Sequence, residues 1–252
     1  MIPFRQVADL LPTTGKEVWR VQVAPSWLSV GRGPGRSVFV RADGLRIHAI
    51  ANVRGSIAGK PGAVLIHGFH SDCGELGRLA VALADHGWAA LRLDLRGCGI
   101  SEGHRDDING TVHDVQAGID HLLAHGASPK HIYLVGHSLG GAVAISAGAA
   151  DARVAGVVCL HPSATYDLGA LDPPDDHPDV RRPIDSIARL SPRPVLIIAG
   201  EQDPVLPCSS AEELYRAALE PKRMLEVKDG THAIEDTEAY ALGWLLAGAP
   251  RV

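Results

Sequence analysis

Residues 131–150 read HIYLVGHSLGGAVAISAGAA. An apolar run, His131–Val135, ends at Gly136, and a string of small and apolar residues, Leu139–Ala150, starts just beyond it. That succession predicts a strand, a sharp turn and a helix. Gly136-x-Ser138-x-Gly140 puts a serine in the turn. The turn is tight, and side chains at positions 136 and 140 would strike the neighbouring strand and helix. The serine then projects from the carboxyl end of its strand. The helix N-terminus points backbone N–H groups at any negative charge that develops there. In this context G-x-S-x-G is the pattern of a nucleophilic serine.

The same rhythm extends outward from about Lys60. Ala63–His67, Ala89–Leu95, Val154–Leu160, Val195–Ala199 and Met224–Val227 read as further strands. Glu75–His86, Thr111–Gly126, Ser209–Ala218 and Glu235–Leu246 carry helical spacing. Strands apolar on both faces, separated by helices, predict a mostly parallel sheet with right-handed crossovers. Before residue 60 the pattern changes. Val18–Val23, Ser37–Arg41 and Leu45–Asn52 read as antiparallel strands, with Asp43-Gly44 as a hairpin turn. The segment from about 162 to 193 holds five aspartates and four prolines between Asp167 and Pro183, too many for a long helix. It is expected to be a surface loop or a short lid within a single domain spanning residues 1–252.

Composition narrows the function. The 252 residues are 46% apolar and 21% charged, which fits a globular chain and not a disordered one. A net charge of −5 and no clustered basic face argue against nucleic acid as a partner. Cys73, Cys98, Cys159 and Cys208 lie far apart with no C-x-x-C pair, which fits free thiols in a reducing compartment. The first residues lack the basic and apolar regions of a signal peptide, and apolar runs stop near seven residues. The expectation is a cytoplasmic protein with no membrane partner.

A serine hydroxyl needs a histidine to take its proton and a carboxylate to orient that histidine. Asp203 follows the strand Val195–Ala199, and His232 follows the last strand, so both sit at carboxyl ends as Ser138 does. Glu201 and Asp229 are rival acids. His161 also follows a strand, but no acid is evident for it, and His137 stands too close to the turn to serve as base. Two backbone donors are expected to hold an oxyanion: the N–H of Leu139 and that of Phe69, in the turn His67-Gly68-Phe69. His67 itself reads as a buried hydrogen-bonding residue. No metal is implied, since His121 and His125 lack the glutamate of an H-E-x-x-H site.

Taken together, HGF at 67–69, DLRGCGISEG at 94–103, GHSLGG at 136–141, GEQDP at 200–204 and DGTH at 229–232 resemble an α/β-hydrolase fold enzyme. Their combination is similar to bacterial carboxylesterases of the cinnamoyl/feruloyl-esterase and monoacylglycerol-lipase-like kind. The chain departs from those enzymes in carrying Cys98 where histidine is common, and in a shorter insertion before Asp203. The resemblance implies a serine carboxylesterase acting on a small-molecule ester, with Ser138 as nucleophile, His232 as base, Asp203 as acid and no cofactor. Thioesterase, acyltransferase or perhydrolase chemistry would use the same residues, and a hydrolase-fold receptor with little turnover would keep them.

Overall fold

The apolar runs become strands of one sheet. A computed structural model describes residues 18–22, 35–166 and 182–248, and among these the sheet has nine strands. In chain order they are β1 Val18–Gln22, β2 Arg36–Ala42, β3 Leu45–Val53, β4 Gly62–Ile66, β5 Ala89–Leu93, β6 Ile132–His137, β7 Val154–Leu160, β8 Val195–Gly200 and β9 Lys222–Lys228. Their spatial order is β1-β9-β8-β7-β6-β4-β5-β3-β2. Every pair from β5 across to β1 is parallel, while β3 runs antiparallel to both β5 and β2. The helices are α1 Gly77–Asp85, α2 Ile108–Ala124, α3 Leu139–Ala150, the short α4 Pro183–Ser186, α5 Cys208–Ala217 and α6 Glu238–Gly248.

Every residue of β4, β5, β6 and β8 is buried, as expected for strands covered on both faces. Alternation within a strand divides the interior in two. Val64 and Ile66 join Val115 and Ile119 of α2 and Val143 of α3 on one face. Ala63 and Leu65 join Leu79 and Leu83 of α1 and Leu242 and Leu245 of α6 on the other. Helix α3 is buried along nearly its whole length, and its small residues allow it to lie close to the sheet.

The hairpin reading holds. Asp43 and Gly44 take φ of 51° and 83°, the left-handed pair that a two-residue turn requires. The first strand differs from expectation. β1 does not join β2 and β3; it lies parallel to β9 at the opposite edge, with Arg20 in register with Glu226 and their side chains 3.2 Å apart. It covers backbone groups of β9 that would otherwise form a bare edge. Val23, at the end of the expected strand, lies outside the described residues, as does most of the expected lid, including Leu168, Leu171 and Val180. From that segment Ile184 lies on α4 and packs against the core.

The turn after β5 is a structural clamp. Asp94 accepts hydrogen bonds from the Cys73 N–H at 2.6 Å and the Ile100 N–H at 3.2 Å, and meets His48 Nδ1 at 2.7 Å. Arg96 is buried and pairs with Asp43, Asp107 and the fully buried Asp114. Removing a partner from a buried charge is far costlier than the pair is worth. Asp114→Ala should therefore lower unfolding free energy by about 3 kcal/mol, read from urea unfolding midpoints. An unchanged midpoint would refute the clamp.

Candidate active site

Strand register brings the site together. Gly136 on β6 pairs with Ile66 on β4 and Cys159 on β7, and Gly200 on β8 pairs with Val227 on β9. The loops that follow β4, β6, β7, β8 and β9 therefore open on one rim, at the carboxyl ends of the parallel strands. Ser138 sits at this rim with φ 54° and ψ −120°, an unfavourable conformation for a residue with a side chain. Its N–H donates to the Leu160 carbonyl at 2.8 Å, and its own carbonyl accepts from the Gly141 N–H at 2.9 Å. A Cβ at Gly136 would lie 1.9 Å from the Gly140 carbonyl oxygen, and one at Gly140 would lie 2.2 Å from that of Ile66. Both glycines are required sterically.

Asp203 and His232 meet as their positions suggested. His232 Nδ1 lies 2.6 Å from Asp203 Oδ2. The other carboxylate oxygen, Oδ1, accepts from the Val205 and Leu206 N–H groups at 2.8 and 2.9 Å. Burial alone would raise the Asp203 pKa. The His161 ring close by, the His232 hydrogen bond and the two backbone N–H groups overcome it and hold the carboxyl well below the usual range. The rival acids face elsewhere: Glu201 accepts from the Asp229 N–H, and Asp229 accepts from the Gln202 amide.

One expectation is overturned here. His161 does have an acid, because its Nδ1 lies 3.1 Å from the same Asp203 oxygen that His232 uses. The strand end at β7 turns with φ 49° at His161 and directs its ring inward, where the side chain is fully buried. No sequence motif announces this contact, which joins two loops of adjacent strands. His161, Asp203 and His232 offer donor atoms within 4.8 Å of one another, close enough to hold a cation.

The turn after β4 supplies the remaining groups. His67 donates from Nδ1 to the Gly68 carbonyl at 2.6 Å and accepts at Nε2 from the Leu95 N–H at 3.1 Å, a structural role as expected. Gly68 lies against the serine turn, where an added Cβ would come within 3.4 Å of Ser138 Cβ. Beside His232 a cavity of about 660 Å³ opens, with His70, Arg78, Arg105, His137 and Ile234 among its walls. No described helix is long and apolar enough to cross a membrane.

The sheet order, the glycine-flanked serine after β6 and the position of the helices make this an α/β hydrolase. Residues 60–176 match the family described as Serine aminopeptidase, S33, and the chain belongs to that family of serine hydrolases. It is 31% identical over 209 residues to the uncharacterised protein Rv2307c of Mycobacterium tuberculosis, covering 79% of this chain and 72% of that one. It is 30% identical over 201 residues to the uncharacterised protein YfhR of Salmonella typhi, covering 71% and 67%. Among solved structures, ferulic acid-bound Est1E from Butyrivibrio proteoclasticus superposes with a TM-score of 0.69 at 22% identity, over 83% of this chain and 97% of that one.

Proposed function

We propose that this hydrolase is a serine carboxylesterase that cleaves small to medium carboxylic esters through an acyl-enzyme. The observation that carries the reading is the 2.6 Å contact from Asp203 Oδ2 to His232 Nδ1, on the rim that also bears Ser138. That contact places a proton on Nδ1 and leaves Nε2 free to accept one. Ser138 Oγ attacks the ester carbonyl as His232 takes its proton, forming the tetrahedral oxyanion. Among the described residues, neither the Phe69 N–H nor the Leu139 N–H meets an internal acceptor, so both are available to the oxyanion. His232 then gives its proton to the departing alkoxide, and the C–O bond breaks. Water, deprotonated by His232, attacks the acyl-enzyme and restores Ser138 with release of the acid.

The fold likeness to Est1E, whose structure holds ferulic acid, agrees with an ester substrate. The test is a panel of esters, thioesters and aminoacyl amides, assayed with wild type and Ser138→Ala. Ester turnover lost in the variant supports the reading; turnover of thioesters or amides alone would replace it.

Substrate size is inferred by taking the cavity beside His232 as the place where the acyl chain lies. Each methylene that finds an apolar wall adds up to ~0.8 kcal/mol of binding, so a deep apolar channel rewards long acyl chains steadily. The described walls beside His232 are mainly polar and charged, with Ile234 and Ala233 as the apolar exceptions. For p-nitrophenyl esters, kcat/KM is expected to peak at about C2–C6, with no jump above the solubility limit. A maximum at about C12 or longer, with activation by emulsions, would contradict this.

A further inference from the structure

Glu75 stands two residues before α1 and has no part in the chemistry derived above. It was expected to open that helix, yet its side chain turns inward and the helix begins at Gly77. Its Oε2 accepts the Gly68 N–H at 2.7 Å, and its Oε1 lies 3.1 Å from His137 Nδ1. The other ring nitrogen of His137, Nε2, donates to the backbone carbonyl of His232 at 3.0 Å. A single carboxylate–imidazole unit thus ties together three loops. The first carries Phe69, the second Ser138 and the third His232.

Both His137 nitrogens face acceptor oxygens, the Glu75 carboxylate at Nδ1 and the His232 carbonyl at Nε2. Burial would raise the Glu75 pKa, but the His137 contact and the Gly68 N–H outweigh it and keep the carboxyl ionised. The unit is also largely enclosed: the side chains of His137 and Glu75 are 7% and 20% exposed. Glu75 occupies the Gly68 N–H, which leaves the next one, that of Phe69, for an oxyanion. Gly68 lies beside Ser138 and His137, where an added Cβ would stand 3.4 Å from each, so a shift of this turn moves the oxyanion donor relative to the nucleophile.

We propose that Glu75 is a positioning residue, a clamp that holds oxyanion turn, nucleophile turn and base loop at one mutual spacing. The inference rests on the reading of Ser138 as nucleophile. Misplacement of reacting groups by about 1 Å costs on the order of 10²-fold in rate while leaving ground-state binding nearly intact. Glutamine can keep both contacts, its carbonyl accepting from Gly68 and its amide donating to His137 Nδ1. Alanine keeps neither. Aspartate is one methylene too short to span both.

The experiment compares wild type, Glu75→Gln, Glu75→Ala and Glu75→Asp by ester kinetics, by thermal melting and by the second-order rate of Ser138 labelling with a fluorophosphonate. Glu75→Ala should lower kcat roughly 10²-fold with KM within about threefold, and slow labelling in parallel. Glu75→Gln should recover at least about a third of wild-type kcat. Glu75→Asp should fall between them, and it carries the test if the alanine variant does not fold. Lower melting temperatures with unchanged kcat and labelling would overturn the clamp, as would a glutamine variant as slow as alanine. Labelling needs the nucleophile and base but no particular ester. A labelled wild type that cleaves no ester therefore sinks only the substrate assignment, and the labelling rates still decide the clamp. A wild type unlabelled at Ser138 sinks both.

Discussion

Replacing Ser138 with alanine should lower kcat by at least ~10³-fold, about 4 kcal/mol of transition-state stabilisation. The residue occupies a backbone conformation that costs energy, and two glycines are spent on making room for it. The fold bears that strain at the rim where His232 and Asp203 converge. Without Oγ there is no acyl-enzyme. Only substrate binding and the backbone donors remain, and these leave a small residual rate. A fluorophosphonate should label Ser138 alone. Mass spectrometry placing the adduct on another serine, with Ser138→Ala still active, would refute the assignment. The variant should melt no lower than wild type, since alanine keeps the Cβ that this turn already accommodates and loses only the hydroxyl.

Asp203→Asn should keep the fold and cost on the order of 10²–10⁴-fold in kcat. An asparagine amide in place of Oδ2 would donate to His232 Nδ1. The ring would then carry its proton on Nε2, where it has to be a base. Glu201→Gln and Asp229→Asn should be close to wild type, because those carboxylates hydrogen-bond across their own loops. Near-normal rates in Asp203→Asn with a large loss in either of the others would reassign the acid. The substitution has a stability signature too. Asp203 has a depressed pKa in the folded state, so its ionised form adds stability that is complete above the ordinary carboxylate value of ~4. That stability is lost as pH falls through the lower folded value. The melting difference between wild type and Asp203→Asn should thus be full near neutrality and shrink as pH drops below about 4.

Much of this was legible before any coordinates, for a specific reason. Ser138, Asp203 and His232 each follow directly on an apolar strand, and in a parallel sheet that single fact sends all three to one rim. Local pattern also sufficed for the Asp43-Gly44 hairpin, where the residue types dictate the backbone. What escaped were contacts without local pattern. Glu75 meets His137 across 62 residues of chain, and each residue alone reads as part of a helix or a turn. His161 finds Asp203 only because β7 and β8 are neighbours. The partner of β1 was missed for the same reason, since five alternating residues reveal a strand without revealing the edge it will cover.

That edge bears on how the protein becomes competent. Arg20 on β1 and Glu226 on β9 are 206 residues apart, so β1, the first of the described strands, waits for β9 before it has a partner. β4, β5 and β6 come from one continuous stretch of chain, and they already place Phe69 and Ser138 side by side. Pairings this distant close late, because the loop entropy must be overcome before any contact rewards it. A nascent chain that has emerged only through β7 therefore carries Ser138 with neither Asp203 nor His232. On the proposed reading of Ser138, Asp203 and His232, the capacity to react arrives only after β9, with the rest of the described sheet in place to contain it.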